Sequence, residues 1–175
     1  MTRYLFLAII LLTLVAAGTY VYLGGMRTPT TALETTTAPL YLAGQAFYGP
    51  VQGEVFGQLF RQAKDAQTQG RLRGDLANLY LNDPETAHDT IRAFIGLAVT
   101  DTTQALPANF RYRLVPAGQR IIATRLVGVS YLLAPNKLYP AALEAVKIQK
   151  LTQRGDFYLE RFGAGDASEV WVGVK

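Results

Sequence analysis

The sequence predicts an α+β fold: two tandem duplicated βαββ modules with antiparallel sheet and a central cleft, preceded by one N-terminal transmembrane helix. Three stretches carry this expectation. Tyr4 to Leu23 holds twenty residues without a charge, enough for a helix rising about 1.5 Å per residue to cross a hydrocarbon core of ~30 Å. Leu76 to Thr100 holds two β-branched and aromatic runs joined through Asn82-Asp83-Pro84, where Asp tolerates a tight turn and Pro cannot continue a ladder. Phe157 to Val174 is a weaker copy of that hairpin.

Residues 1–23 read as a membrane anchor, because Tyr4, Tyr20 and Tyr22 stand at the ends of the apolar run, where amphipathic rings favour the headgroup level. A cleavable signal peptide is the competing reading: Arg3, the apolar run Leu5 to Val15 and the small residues Ala16, Ala17 and Gly18 also fit one. The amino terminus and Arg3 nearly balance Arg27, so the side of the membrane stays open. Residues 24–38 are rich in Gly, Thr and Pro without an apolar period, which predicts a linker. The folded domain is expected over 39–175, as modules 39–104 and 110–175.

In the first module the pattern predicts a strand over Leu40 to Phe47 and a turn at Tyr48-Gly49-Pro50. Val55, Leu59, Phe60 and Ala63 then recur at helical spacing, giving a helix over roughly Val51 to Gln67. Hairpin strands follow near Asp75 to Leu81 and Ile91 to Thr100. The polar loop Asp101 to Asn109 joins the modules. The second begins with strands at Phe110 to Val115 and Gln119 to Val127 around the turn Pro116-Ala117-Gly118. A helical region covers Ser130 to Leu151, where Pro135 and Pro140 predict a short turn, a break, and a main helix starting near Tyr139. The closing hairpin is Phe157 to Phe162, a Gly163 to Asp166 turn, and Ser168 to Val174.

The spacing supports a duplication. Gly49 to Tyr80 is 31 positions and Gly128 to Tyr158 is 30; Tyr80 to Gly96 is 16 and Tyr158 to Gly173 is 15. The shared order of strand, Gly turn, helix and hairpin carries more weight than the spacing. A βαββ unit has one helix for one sheet face, so two units gain by pairing, and pairing creates a cleft between them.

Composition narrows the chemistry. The net charge of +4 comes from basic residues scattered among acids, which describes a solvated surface and not a nucleic-acid footprint. With no cysteine there is no disulfide, thiolate nucleophile or zinc-thiolate site. The one histidine, His88, sits in the polar turn of the first hairpin beside Asp89, too few imidazoles for a histidine metal site. Nucleophile-elbow, phosphate-loop, HExxH and dinucleotide-binding patterns are absent. No cofactor or metal is expected.

These residues resemble the GyrI-like family, the effector-binding domain attached to AraC-type and multidrug-responsive regulators. The resemblance lies in Tyr48-Gly49-Pro50, Leu79-Tyr80-Leu81-Asn82-Asp83-Pro84, Arg92 four residues before Gly96, Leu114-Val115-Pro116-Ala117-Gly118, and Glu169-Val170-Trp171-Val172-Gly173-Val174. The N-terminal span with Lys137-Leu138-Tyr139-Pro140-Ala141-Ala142-Leu143 is similar to a membrane-anchored branch typified by the testis-expressed reticulophagy receptor. The receptor role of that branch depends on a long disordered tail and is not carried over. The resemblance implies a small-molecule site in the cleft, lined by aromatics, with a glutamate from the second module able to meet a cationic or polar ligand.

The family pattern of Glu, any residue, aromatic fits Glu160-Arg161-Phe162; a register shifted by four residues offers Asp156 before Tyr158 instead. A carboxylate half-buried among rings attracts an organic cation through Coulomb interaction in low dielectric and through ring faces. The candidate ligand-binding residues are Glu160, Tyr48, Tyr80, Tyr112, Tyr131 and Trp171. The plainer alternative has the aromatics as core and Glu160 paired with Arg161 or another arginine. The expected function is a membrane-anchored, non-catalytic small-molecule-binding domain. A membrane-tethered interaction protein and a hydrolase using a cleft glutamate are the alternatives. A DNA-binding regulator is disfavoured, because the span leaves no room for a helix-turn-helix module ahead of the domain.

Overall fold

The computed structural model describes residues 2–50, 53–84, 86–87, 90–131 and 133–175. His88 therefore lies outside the described residues. Helix α1 (Thr2–Tyr22) carries the apolar run and is long and apolar enough to cross a membrane, as a signal sequence also is. Strands β1 (Thr30–Thr35), β2 (Leu40–Gly49), β3 (Asp75–Tyr80), β4 (Ile91–Val99), β5 (Arg111–Val115), β6 (Arg120–Leu126), β7 (Gln153–Phe162) and β8 (Ser168–Val174) form one antiparallel sheet. Helices α2 (Glu54–Thr68) and α3 (Pro135–Ile148) cover one of its faces.

Three expectations need correction. Thr30–Thr35, inside the stretch read as linker, is an edge strand paired with β6, from Thr30 opposite Arg125 to Thr35 opposite Arg120. An edge strand with one partner needs little apolar alternation, and Thr suits it by β-branching. Helix α3 runs unbroken from Pro135 with Pro140 inside it. Pro135 sits in the first turn, where a missing N–H costs nothing. Val55 is exposed; α2 instead turns Phe56, Leu59, Phe60, Ala63 and Ala66 toward the sheet.

The strand order is β1-β6-β8-β7-β3-β4-β2-β5. It places β3 beside β7 at the centre, with β4, β2, β5 outward on one side and β8, β6, β1 on the other. Two short connectors force this sheet to roll up. Only Pro116–Gln119 separates β5, at one end, from β6, next to the other. In a flat sheet six strand spacings of ~4.8 Å, about 29 Å, would part them, whereas the five Cα steps from Val115 to Arg120 reach about 18 Å. The matching connector after β1 crosses beside it: Thr36 N–H donates to the Gln119 carbonyl at 2.9 Å and Gly118 N–H to the Thr36 carbonyl at 2.7 Å.

Rolling encloses the helix-free face, where Leu42, Phe94, Ile121, Ala123, Phe157 and Leu159 from both halves form one cluster. Arg111 and Arg113 lie over the Phe94 ring, with guanidinium carbons 5.9 and 5.7 Å from its centroid. The other core lies between sheet and helices.

Candidate functional site

Because alternate residues of a strand face opposite sides, the partners of β3 and β7 divide cleanly. Leu76, Asn78 and Tyr80 stand opposite Phe162, Glu160 and Tyr158, all toward the helices. Helix α2 lies over β2, β3 and β4 and α3 over β1, β6 and β8, so β7 runs beneath the gap between them. Glu160 is at the floor of that gap, 7% exposed.

Its Oε2 accepts from Tyr80 Oη at 2.9 Å and Asn78 Nδ2 at 3.0 Å, and the Tyr139 hydroxyl of α3 lies near enough to favour the anion. No Lys or Arg pairs with it among the described residues. Burial pushes the Glu160 carboxyl above its ordinary range, against the hydrogen bonds from Asn78 and Tyr80 and the nearby Tyr139 hydroxyl, which favour the anion. The phenol of Tyr80 is pushed up as well, by burial and by the adjacent carboxylate. Asn78 Oδ1 is buried without a hydrogen-bond partner among the described residues.

Aromatic rings wall the gap on either side of this floor. Phe56 stacks on Tyr80 with centroids 6.5 Å apart and meets Phe47 edge-on at 5.3 Å. Toward the other end, Tyr131, Phe60 and Phe162 form a trio with centroids 6.3 to 6.5 Å apart. Lys64 Nζ sits 4.9 Å above the Tyr131 ring. A cavity of about 330 Å³ opens beside this trio, lined by Lys64, Tyr131 and Phe162. Glu160 does not line it, so the rings of Phe60, Tyr131 and Phe162 stand between the carboxyl and solvent at this end.

The structure brings Glu160, Tyr80 and Tyr131 to one gap and places the other named residues elsewhere. Tyr48 is 76% exposed at the end of β2. Tyr112 on β5 donates to the Gln104 carbonyl at 2.9 Å and packs against the cluster under α2. Trp171 stands opposite Leu159 and joins the cluster on the helix-free face. Asp156 is exposed and pairs with Arg154 at 3.0 Å. Arg161 points away from Glu160 and binds Glu169 at 2.8 Å, in a line that continues to Arg125 and Glu34. The sequence reading passed over Asn78 as a ligand, and over Phe56, Phe60 and Tyr139. Period-two alternation on β3 marks Asn78 and the i, i+4 pair on α2 marks Phe56 and Phe60, whereas no local pattern marks Tyr139 on α3.

The raised Glu160 pKa also bears on the stability of the free protein. A carboxyl whose pKa is raised on folding binds more protons in the folded chain, so its contribution to stability is greatest at low pH and is lost as pH rises through the folded pKa. Glu160→Gln is expected to remove this dependence and to raise the melting temperature at neutral pH relative to wild type. Thermal melts of both proteins from pH 4 to 8 test this; parallel curves would contradict it.

No protein-family model and no curated protein matches the chain. Solved structures do. An integron cassette protein from the mobile metagenome of Vibrio cholerae aligns with a TM-score of 0.61 at 10% identity, over 85% of this chain and 97% of its own. The C-terminal domain of EcmrR aligns with a TM-score of 0.57 at 13% identity, over 85% and 99%. SAV2435, solved bound to tetraphenylphosphonium, aligns with a TM-score of 0.56 at 13% identity, over 85% and 94%. These are GyrI-like effector-binding folds, and at such identities the likeness is one of fold.

Proposed function

We propose that this chain is a non-catalytic small-molecule-binding module, built of two βαββ halves and held at a membrane by α1, that takes a lipophilic organic cation into the gap over Glu160. The observation that carries the reading is the buried Glu160 carboxylate, with no cationic side chain paired with it among the described residues and aromatic rings around it. Such a carboxylate is costly to hold ionised. A bound cation would offset that cost and would meet ring faces at the same time. The strand order supports the two-module reading, since β3, β4, β2, β5 and β7, β8, β6, β1 run outward from the centre in matching sequence. SAV2435 binding tetraphenylphosphonium in the same fold supports the ligand class.

Titration calorimetry of the full chain in detergent tests it with two probes of equal size and shape and opposite charge. Tetraphenylphosphonium should bind and tetraphenylborate should not; equal binding of both, or of neither, would sink the proposal. A structural or interaction role is favoured by one observation, the satisfied and enclosed state of Glu160. It predicts silence with both probes.

A further inference from the structure

We propose that the mouth of the groove lies at the membrane surface and that its ligand is an amphiphilic cation drawn from the bilayer. This deepens the reading above and rests on α1 being a retained anchor and the groove a ligand site. The evidence is the joint between α1 and the domain. Leu23, the last residue of the apolar run, accepts from Ser130 N–H at 3.3 Å. Gly24, at φ +80°, packs so closely that a Cβ there would strike the Gly128 carbonyl oxygen. Lys137 Nζ on α3 donates to the Arg27 carbonyl at 2.7 Å. The end of the span is therefore tied directly to the loop before α3.

Tyr131, the rim residue, follows Ser130 by one Cα step of ~3.8 Å. The headgroup layer on each side of the hydrocarbon is roughly 5–7 Å deep. Tyr131 thus stands at headgroup level, where its ring is favoured. It packs on Phe162, and Glu160 lies two residues further along the strand, ~7 Å deeper into the domain. The same end exposes Met26 and Val127 and carries Arg27 and Lys137, neither of which pairs with an acid among the described residues. Apolar side chains flanked by cations fit a surface of acyl chains and phosphates. An amphiphilic cation lodged in that surface has its charged head beside Tyr131, and it reaches Glu160 once the Phe60, Tyr131 and Phe162 rings part and Lys64 leaves the Tyr131 ring.

The test places one indole at the rim, with Tyr131→Trp in a Trp171→Phe background, in the full chain reconstituted in phosphatidylcholine vesicles whose lipids are brominated near the headgroup end of their chains. Emission at position 131 should be quenched severalfold more, as expected of an interfacial ring, than in the Tyr48→Trp counterpart at the far end of the sheet. Val127→Trp gives the same reading from a solvent-exposed position should the rim substitution perturb folding. Dodecyltrimethylammonium added to the vesicles should shift the emission at position 131, and Glu160→Gln should abolish the shift. Quenching at 131 and 127 no greater than at 48 overturns the membrane-facing mouth whatever the ligand result. Quenching without an amphiphile shift overturns the bilayer-derived ligand, and tetraphenylphosphonium binding in detergent then reports separately whether the site reading survives.

Discussion

Glu160→Gln is expected to weaken tetraphenylphosphonium binding ten- to a hundredfold at neutral pH, with the fold intact. At ~5 Å and an effective dielectric of ~20, a buried carboxylate and a monocation attract by about 3 kcal/mol, and each 1.4 kcal/mol or so is tenfold in affinity. Part of that attraction is offset by desolvating the pair, which sets the lower end of the range. Glutamine keeps the shape and can still meet Tyr80 and Asn78, so the loss isolates the charge. The pH dependence has a definite sign. Burial raises the carboxyl pKa of the free protein, and a cation favours the ionised form, so binding releases a proton. Below the raised pKa, wild-type affinity should fall about tenfold per pH unit, as one-proton linkage requires, while Glu160→Gln stays flat. Calorimetry in two buffers of different ionisation enthalpy reads the proton directly. Equal affinities for wild type and variant would remove Glu160 from the site.

Gly96→Val is expected to cost at least about 3 kcal/mol of folding stability, in the range reserved for buried steric conflict. Gly96 on β4 stands opposite Gly44 on β2. A Cβ on Gly96 would strike the Ala43 carbonyl oxygen and lie 2.6 Å from the Gly44 Cα, and a Cβ on Gly44 would meet Ile95 and Gly96 in the same way. The atoms in the way are backbone of the neighbouring strand, so no rotamer change relieves the clash. Glycine inside a strand marks such an approach. Chemical denaturation of the full chain in detergent, followed by far-UV circular dichroism, gives the difference. A variant whose midpoint matched wild type would show that the strands can separate locally without loss.

The hairpin at Asp75–Tyr80 and Ile91–Val99 and its counterpart at Gln153–Phe162 and Ser168–Val174 were legible because apolar alternation and turn chemistry are local properties. Glu160 was legible as one of two candidates. The choice against Asp156 came from burial, which depends on what covers the strand: Glu160 lies under the gap between the helices, and Asp156 is in water with Arg154. Naming aromatics by type gathered Tyr48, Tyr112 and Trp171 into the site. Strand parity separates them, since Trp171 shares the face of Leu159 and Glu160 the face of Val170. Strand β1 escaped because its apolar pattern is weak and its partner, β6, lies some ninety residues away.

By itself, then, the sequence determined an apolar N-terminal helix, the order of the helices and of strands β2 to β8, and a short set of carboxylates that could serve a cleft. Each follows from residues near one another in the chain, through hydrophobic period, turn residues and charge. Only the tertiary structure decided that the sheet rolls, that β3 and β7 meet at its centre, that Asn78, Tyr80 and Tyr139 converge on Glu160, and that Leu23 is tied to the loop leading to Tyr131. Those contacts join segments that are distant in sequence. Their energies come from burial and from strand pairing across the whole sheet, and no window of the chain contains both partners.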